Sequence, residues 1–471
     1  MQRRMVQWNP ATRAALVAAL VAAAAVCCAN RHPTAQRIDG LGTPSMLPPG
    51  PLSTSGRNIV DQSGHAVRIA GTAYWISDPA NDLPKIAAAG FNAIRVAWVN
   101  RSLDSSWNDL DATVAAAANV GVRVILDNHD NEGLNSPCWA QQANGLWYDS
   151  GGATDGTDGC GIAGTVTRDG WVDDWARVAQ HFAGNDTVIG YDLKNEPLEY
   201  GPGVSWGDGN RDRDLRWAYE DAGNAILAAD PTKLIICEGP QNYSDTFAHL
   251  PGVGAPWGDL TGVKEAPVTL NVPNKVVYSV HDYPTHTSGF SPDSGQAKDD
   301  MAEKAFGFVA SENLAPLYIG EWAADNLPGG DKAYADDFVA FYNDPKHGPA
   351  STSYWMWGID YSCDSCGIID SNGNTRPAQM AYVQELLFYP ATTPPPPSPA
   401  TSARIAVGHS SPLTDPAGNV WSADSGFSGG TSFSVSPPVP IAGTDDASCT
   451  TASATASTTA AIRRASATPC R

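Results

Sequence analysis

VIGYDLKNEP, residues 188–197, opens on apolar, β-branched residues and closes on a carboxylate set between an amide and a proline. A short apolar run of this kind, bounded by a turn signal, reads as a buried strand. The pattern recurs in VRIAGTAYW (67–75), NAIRVAWV (92–99), VRVILDNH (122–129), KLIICEGP (233–240), KVVYSVHDYP (275–284), PLYIGEW (316–322) and TSYWMWGI (352–359), eight runs in all. Between them lie segments of helical character, among them LPKIAAAG (83–90), DLDATVAAAANVG (109–121), DDWARVAQHF (173–182) and RWAYEDAGNAILAAD (216–230). Several end in glycine, as helix C-termini do. Strands alternating with helices imply parallel pairing through right-handed crossovers. Eight such units predict an α/β fold of the closed (β/α)8 TIM-barrel type. No glycine fingerprint follows the first run, which argues against an open sheet built around a dinucleotide.

In a closed barrel the chemistry gathers at the C-terminal ends of the strands. The runs close there on Arg95, His129, Asn195 with Glu196, Glu238, His281 with Tyr283, Glu321 and Trp355. Strands four and seven lie on roughly opposite sides of an eight-stranded ring, so Glu196 and Glu321 can face each other across its mouth. Two facing carboxyls meet the requirement for glycoside hydrolysis. At a separation of about 5–5.5 Å one attacks the anomeric carbon, and at about 6.5–9.5 Å it activates a water instead. Sequence carries no distance, so the stereochemical course stays open. Asn195 is a short neutral donor beside the acid, and Gly320 permits close approach to the strand. Pro197 is expected to restrict Glu196 to extended backbone. Glu238 reads as a supporting hydrogen-bonding group outside the catalytic pair.

Composition is compatible with this chemistry and excludes other classes. The chain carries 29 Lys+Arg against 50 Asp+Glu, a formal charge of −21. That field repels phosphate backbones, so no nucleic-acid partner is expected. Fifteen Trp supply flat faces for sugar rings, although packing in the core is the ordinary use of any one of them. Residues 1–29 read as a signal peptide, with Arg3, Arg4 and Arg13 ahead of an apolar run to Ala29. Export, to the outside or to a periplasm, makes disulfides available to Cys138 with Cys160 and to Cys363 with Cys366. Neither a second CxxC nor an HxxxH completes a zinc set, so no metal or other cofactor is expected. Cys237 sits in an apolar strand as a buried thiol. A low-complexity lead is expected at 30–55 and the catalytic barrel at 56–389. A proline-rich linker follows at 390–402, and 447–471 is too poor in apolar residues to fold. The protein is expected to act as a monomer with no stable membrane association.

From about Asn58 to Phe388 the chain resembles glycoside hydrolase family 5, especially its cellulase-like bacterial members. The resemblance is carried by IRVAW with Arg95, VILDNHD with His129, YDLKNEP with Asn195 and Glu196, VYSVHDYP with His281 and Tyr283, YIGEW with Glu321, and YWMW with Trp355. It implies a retaining mechanism with Glu321 as nucleophile and Glu196 as acid/base. Arg95 and Tyr283 would donate to Glu321, and Asn195 would bind a 2-hydroxyl. His129 and His281 would hold sugar hydroxyls or tune the carboxyls, and Trp355 would lie under the reacting sugar. Trp75, Trp257 and Trp322 are candidate secondary platforms. The implied activity is endo-β-1,4-glucanase on a β-glucan polysaccharide or oligosaccharide. β-Mannanase, xyloglucanase and mixed-linkage glucanase share the catalytic set, and a non-catalytic sugar-binding barrel would have lost one carboxylate. The last strand lacks an Asn-Pro often found after the tryptophan of cellulase-like relatives, and the Cys138–Cys160 region is an insertion. AGNVWSADSGFSGGTS with IAGTDD, within 403–446, resembles the start of a malectin-like carbohydrate-binding domain that then breaks off.

Overall fold

The computed structural model describes residues 46–133, 143–199, 203–241, 258–285, 292–325, 330–348, 350–358, 366–370, 372–387, 405–406, 413–414 and 420–423. Cys138, Trp257 and Cys363 fall outside them, as do the signal peptide, the linker and the tail. Eight parallel strands close into a barrel in sequence order. They are β1 (Ala70–Tyr74), β2 (Ala93–Val99), β3 (Arg123–Asp130), β4 (Val188–Asp192), β5 (Leu234–Glu238), β6 (Val276–Asp282), β7 (Leu317–Trp322) and β8 (Ser351–Tyr354). Each falls on one of the eight apolar runs, with only Asp130 and Ser351 lying one residue outside. The helices include α1 (Pro79–Ala89), α2 (Leu103–Val120), α3 (Arg168–His181) and α4 (Leu215–Ala229). A further helical run, α5, starts as Gln296–Ala302 and passes through a π turn at Glu303–Gly307 to Phe308–Ser311. α6 (Lys332–Asn343) and α7 (Pro377–Leu387) follow.

Local sequence sets the helix ends. Pro79 opens α1, where a missing N–H costs nothing. Thr167 caps α3 by accepting from the Gly170 N–H, and Asp214 caps α4 by accepting from Arg216. Gly121 ends α2 at φ +75°, a left-handed conformation that a side chain would disfavour.

The core has two parts. Between barrel and helices lies an aromatic-rich layer in which Trp98 meets Trp175 edge-on at 4.9 Å and Trp175 meets Tyr191 at 5.6 Å. Two of the buried indole N–H groups find acceptors: Trp171 donates to Asn128 Oδ1 at 2.8 Å and Trp175 to the Leu193 carbonyl at 3.1 Å. Inside the barrel, at its N-terminal end, Ile69, Ala93, Ile125, Ile189, Leu234, Ile236, Val277 and Tyr318 form a second cluster with Leu47, Leu52 and Ile59.

Those last three residues correct the expected lead. Met46 to Ser55 is not a loose tether. Ser53–Ser55 pairs antiparallel with Asn58–Val60, which pairs with Ala66–Val67, and Leu52 is 1% exposed. Residues 391–471 form a separate unit. In it Val420–Ala423 pairs parallel to Ile405–Ala406 and antiparallel to Leu413–Thr414.

Candidate active site

The barrel mouth is organised around Arg95 on β2, which is 1% exposed. Its Nη1 donates to Glu321 Oε1 at 2.7 Å, its Nε to Asp192 Oδ2 at 2.8 Å and its Nη2 to Asn195 Oδ1 at 2.9 Å. Asp127 Oδ1 lies 3.0 Å from Nη2. Burial opposes the guanidinium charge, but Asp127, Asp192 and Glu321 outweigh it and raise its pKa well above the ordinary value. Burial likewise pushes Asp192 up to about 6 against the pull of Arg95. Asp127 faces the same burial, yet Arg95 and His129 hold it below the usual carboxylate range.

Glu196 and Glu321 meet across the mouth. An oxygen of each, with a ring nitrogen of His281, lies within a group no wider than 4.8 Å. His281 Nδ1 is 2.8 Å from Glu196 Oε1 and 3.5 Å from Glu321 Oε2. Tyr283 donates its hydroxyl to Glu321 Oε2 at 2.7 Å. Both Glu321 oxygens therefore accept hydrogen bonds, which fixes the aim of the carboxylate. Among the described residues, only Glu196, His281 and Glu321 group as possible metal ligands. Their donor atoms are committed to one another and to Arg95 and Tyr283, which suits proton exchange better than metal ligation.

The remaining expected residues fall around this pair. His129 Nδ1 contacts Asp127 Oδ2 at 2.7 Å, leaving Nε2 as the outer edge of the ring. Trp355 stacks on His129 at 5.6 Å, and Trp75 meets both edge-on, at 5.0 Å and 6.1 Å. Asn195 is buried, and its Nδ2 has no hydrogen-bond partner among the described residues. Cys160 and Cys366 are disulfide-bonded, and Cys237 is a buried free thiol.

Two expectations fail. Glu196 is not extended but left-handed, at φ +43°. Its N–H donates to Glu238 Oε2 at 3.0 Å, and this tertiary contact overrides the local preference set by Pro197. Trp322 is not a platform. It is 1% exposed and stacked on Phe338 at 4.3 Å in the outer layer. The β7 ladder slips between Ile319 and Glu321, a bulge that accompanies Glu321 at the mouth while Trp322 packs in that layer.

Asp127 and Asp192 were missed as parts of the site, whereas Glu238 is the supporting hydrogen-bonding group expected. The signal for the two aspartates was available: each is an acid inside a run that is otherwise apolar, where an unpaired carboxylate would be costly.

A family model described as Cellulase (glycosyl hydrolase family 5) matches residues 60–360. An endoglucanase of Paenibacillus polymyxa is 30% identical over 317 residues, covering 59% of this chain and 72% of that protein. Endoglucanase B of Acetivibrio thermocellus is 28% identical, covering 58% of this chain and 57% of that protein. The major extracellular endoglucanase of Xanthomonas campestris pv. campestris is 27% identical, covering 75% of this chain and 76% of that one. Among solved structures, an endocellulase from Pyrococcus horikoshii in complex with cellotetraose superposes with a TM-score of 0.58 at 23% identity. It covers 73% of this chain and all of that one, and at this identity the likeness speaks for the fold. The family match runs from the end of the strand that floors the barrel to just past β8, and it places the chain, a glycoside hydrolase, in glycosyl hydrolase family 5.

Proposed function

We propose that the protein is an endo-β-1,4-glucanase that cleaves β-glucan with retention, Glu321 attacking the anomeric carbon and Glu196 serving as acid and then base. The observation that carries this reading is the close approach of the two carboxyls, with oxygens inside a 4.8 Å group. Retaining enzymes need about 5–5.5 Å between carboxyl groups, whereas a water-activating pair needs about 6.5–9.5 Å.

In the first step Glu321, aimed by Arg95 and Tyr283, forms a bond to the anomeric carbon as the glycosidic bond breaks. Glu196 gives its proton to the departing oxygen. In the second step Glu196 takes a proton from water, which attacks the same carbon and frees Glu321. Asn195 Nδ2, which has no partner among the described residues, would donate to a hydroxyl of the reacting ring, and the adjoining rings of Trp355 and Trp75 would line its apolar side. Glucan as substrate is supported by the names of the relatives, endoglucanases among them.

An extracellular location is supported by the basic and apolar N-terminal segment and by the relative named an extracellular endoglucanase. Among the described residues no helix is long and apolar enough to cross a membrane.

The test is hydrolysis of carboxymethylcellulose, mannan, xyloglucan and barley glucan, with the anomer of the first product read by proton NMR. Carboxymethylcellulose viscosity should fall well before reducing ends accumulate, and the first product should be the β-anomer. Glu321→Gln should lower turnover by about 10⁴-fold or more while sugar binding persists. An α-anomeric first product would refute retention. Faster release from mannan would refute glucan as the substrate, and full activity of Glu321→Gln would refute the nucleophile.

A further inference from the structure

Glu238 ends β5 with no exposed surface, and its carboxyl reaches two parts of the site at once. Oε2 accepts the backbone N–H of Glu196 at 3.0 Å and lies 3.4 Å from His281 Nε2. The other nitrogen of that ring, Nδ1, is the one 2.8 Å from Glu196 Oε1. One buried oxygen therefore accepts from the backbone of Glu196 and lies beside the histidine that contacts its carboxyl, at ion-pair distance from an Nε2 that makes no hydrogen bond among the described residues. The strand exits beyond these two residues are also tied together: Gln241 N–H donates to the Pro197 carbonyl at 2.7 Å and Glu199 N–H to the Gln241 carbonyl at 3.0 Å. Tyr219 holds the Glu238 carbonyl at 2.8 Å.

We propose that Glu238 is a positioning residue for Glu196: it anchors the left-handed backbone of Glu196 and keeps a proton on the Nε2 side of His281, so that Nδ1–H faces the Glu196 carboxyl. The proposal rests on the reading of Glu196 as acid/base. Glu196 can release its proton to a leaving oxygen only from the oxygen that does not face His281. Oε1 must then accept from Nδ1–H. A neutral imidazole with hydrogen on Nδ1 has a bare Nε2, which needs a donor, whereas an imidazolium carries hydrogen on both nitrogens. In either case one proton lies between Nε2 and Glu238.

The electrostatics support this sharing. His281 is faced by Glu196 and Asp192 from β4 and its exit, Glu238 from β5, Glu321 from β7 and Asp127 from β3, while Arg95 from β2 acts on Glu238 beside it. Burial alone would lower the histidine, but Glu238, Glu321 and Glu196 push it up to about 10. Burial, with Asp192 and Glu196 nearby, raises Glu238 well above the usual carboxylate range. Both tendencies keep a proton in the pair at neutral pH. Gly320 leaves the ring its place, since a Cβ there would sit 3.0 Å from His281 Nε2. Glu196 at φ +43° sits in a strained backbone region, which the Glu238 contact offsets.

The experiment compares the full-length protein with Glu238→Gln. The amide oxygen can still accept the Glu196 N–H, but the side chain cannot share a proton with Nε2. On cellotetraose kcat should fall about 10–100-fold, with KM within about threefold, and the alkaline limb of kcat should move down by about one pH unit or more. The burst of dinitrophenolate from 2,4-dinitrophenyl cellobioside needs no proton and should change by less than about threefold. Equal losses on both substrates with an unmoved alkaline limb would overturn the proposal, as would an unchanged kcat. Neutron diffraction on the unaltered protein gives a reading independent of any variant's folding. Deuterium should sit on His281 Nδ1 and between Nε2 and Glu238, and a bare Nδ1 would overturn the proposal. Glu196→Ala separates the underlying reading. If azide restores its turnover and forms a β-glycosyl azide, the acid/base role stands whatever Glu238 does, and failure of that rescue would refute the role itself.

Discussion

Replacing Asn195 by Ala should damage catalysis through one hydroxyl of the substrate, and the size of the loss follows from its surroundings. Arg95 Nη2 holds Asn195 Oδ1 at 2.9 Å, which fixes the amide orientation and directs Nδ2 away from the guanidinium. Nδ2 is buried and finds no acceptor among the described residues. A buried donor left unpaired costs about 1–3 kcal/mol, a penalty the free enzyme already carries. A sugar hydroxyl that reaches Nδ2 relieves this cost and gains a hydrogen bond in a screened site. The interaction is then worth about 2–4 kcal/mol at the transition state, or about 30–1,000-fold in kcat/KM. The assay is a double cycle: parent and Asn195→Ala, each with an aryl cellobioside and with its 2-deoxy counterpart at the reacting ring. Any loss caused by disturbing Arg95 is common to both substrates and cancels. The variant should lose about 30–1,000-fold on the hydroxylated substrate and less than about tenfold on the deoxy one. Equal losses would refute the assignment of Nδ2 to that hydroxyl and would leave Asn195 as a support for Arg95 alone.

Two further outcomes are expected. Asp149 has no exposed surface, and burial with Glu132 and Asp130 nearby pushes its carboxyl up to about 7, so the folded state holds this proton more tightly than the unfolded state does. Its contribution to stability is full below the unfolded value and fades as pH rises through about 7. Asp149→Asn should therefore unfold about 2–4 °C higher than the parent at pH 8, with no difference near pH 4, by calorimetry. A variant equally stabilised at both values would refute the charge as the cause. The second contrast is between tryptophans. Trp322→Ala should cost about 3–5 kcal/mol in denaturant unfolding, because the indole is stacked on Phe338 inside the outer layer. Trp75→Ala should leave stability nearly unchanged and raise KM for cellotetraose, and the reverse pattern would invert the two roles.

The fold was legible because a barrel repeats one local pattern, so eight apolar runs with helical spacers leave few topologies. Arg95, Glu196, His281 and Glu321 were legible for a related reason: a polar group ending an apolar strand lies at the mouth. What stayed hidden depends on contacts between strands distant in sequence. The left-handed backbone of Glu196 accompanies a hydrogen bond to Glu238, 42 residues away, and Pro197 argued for the opposite. Trp322 was misread because a bulge in β7 breaks simple alternation, and a bulge leaves no mark in LYIGEW beyond its glycine. Asp127 and Asp192 could be seen as buried acids, but nothing local shows that Arg95 is the cation they share.

The floor of the barrel has a consequence for maturation. Arg123 donates to the carbonyls of Pro48 and Gly50 at 2.6 and 2.7 Å, and Lys275 to that of Leu52 at 2.8 Å. Leu47 and Leu52 lie against the apolar residues that fill the barrel's lower end. A protease trimming inward from the N-terminus would reach backbone held by these contacts at Pro48. Cutting past Leu52 would strip Arg123 of both these acceptors and Lys275 of one, and would wet side chains that each contribute about 1.5–3 kcal/mol when buried. Any such trimming would meet a thermodynamic stop built into the domain it approaches.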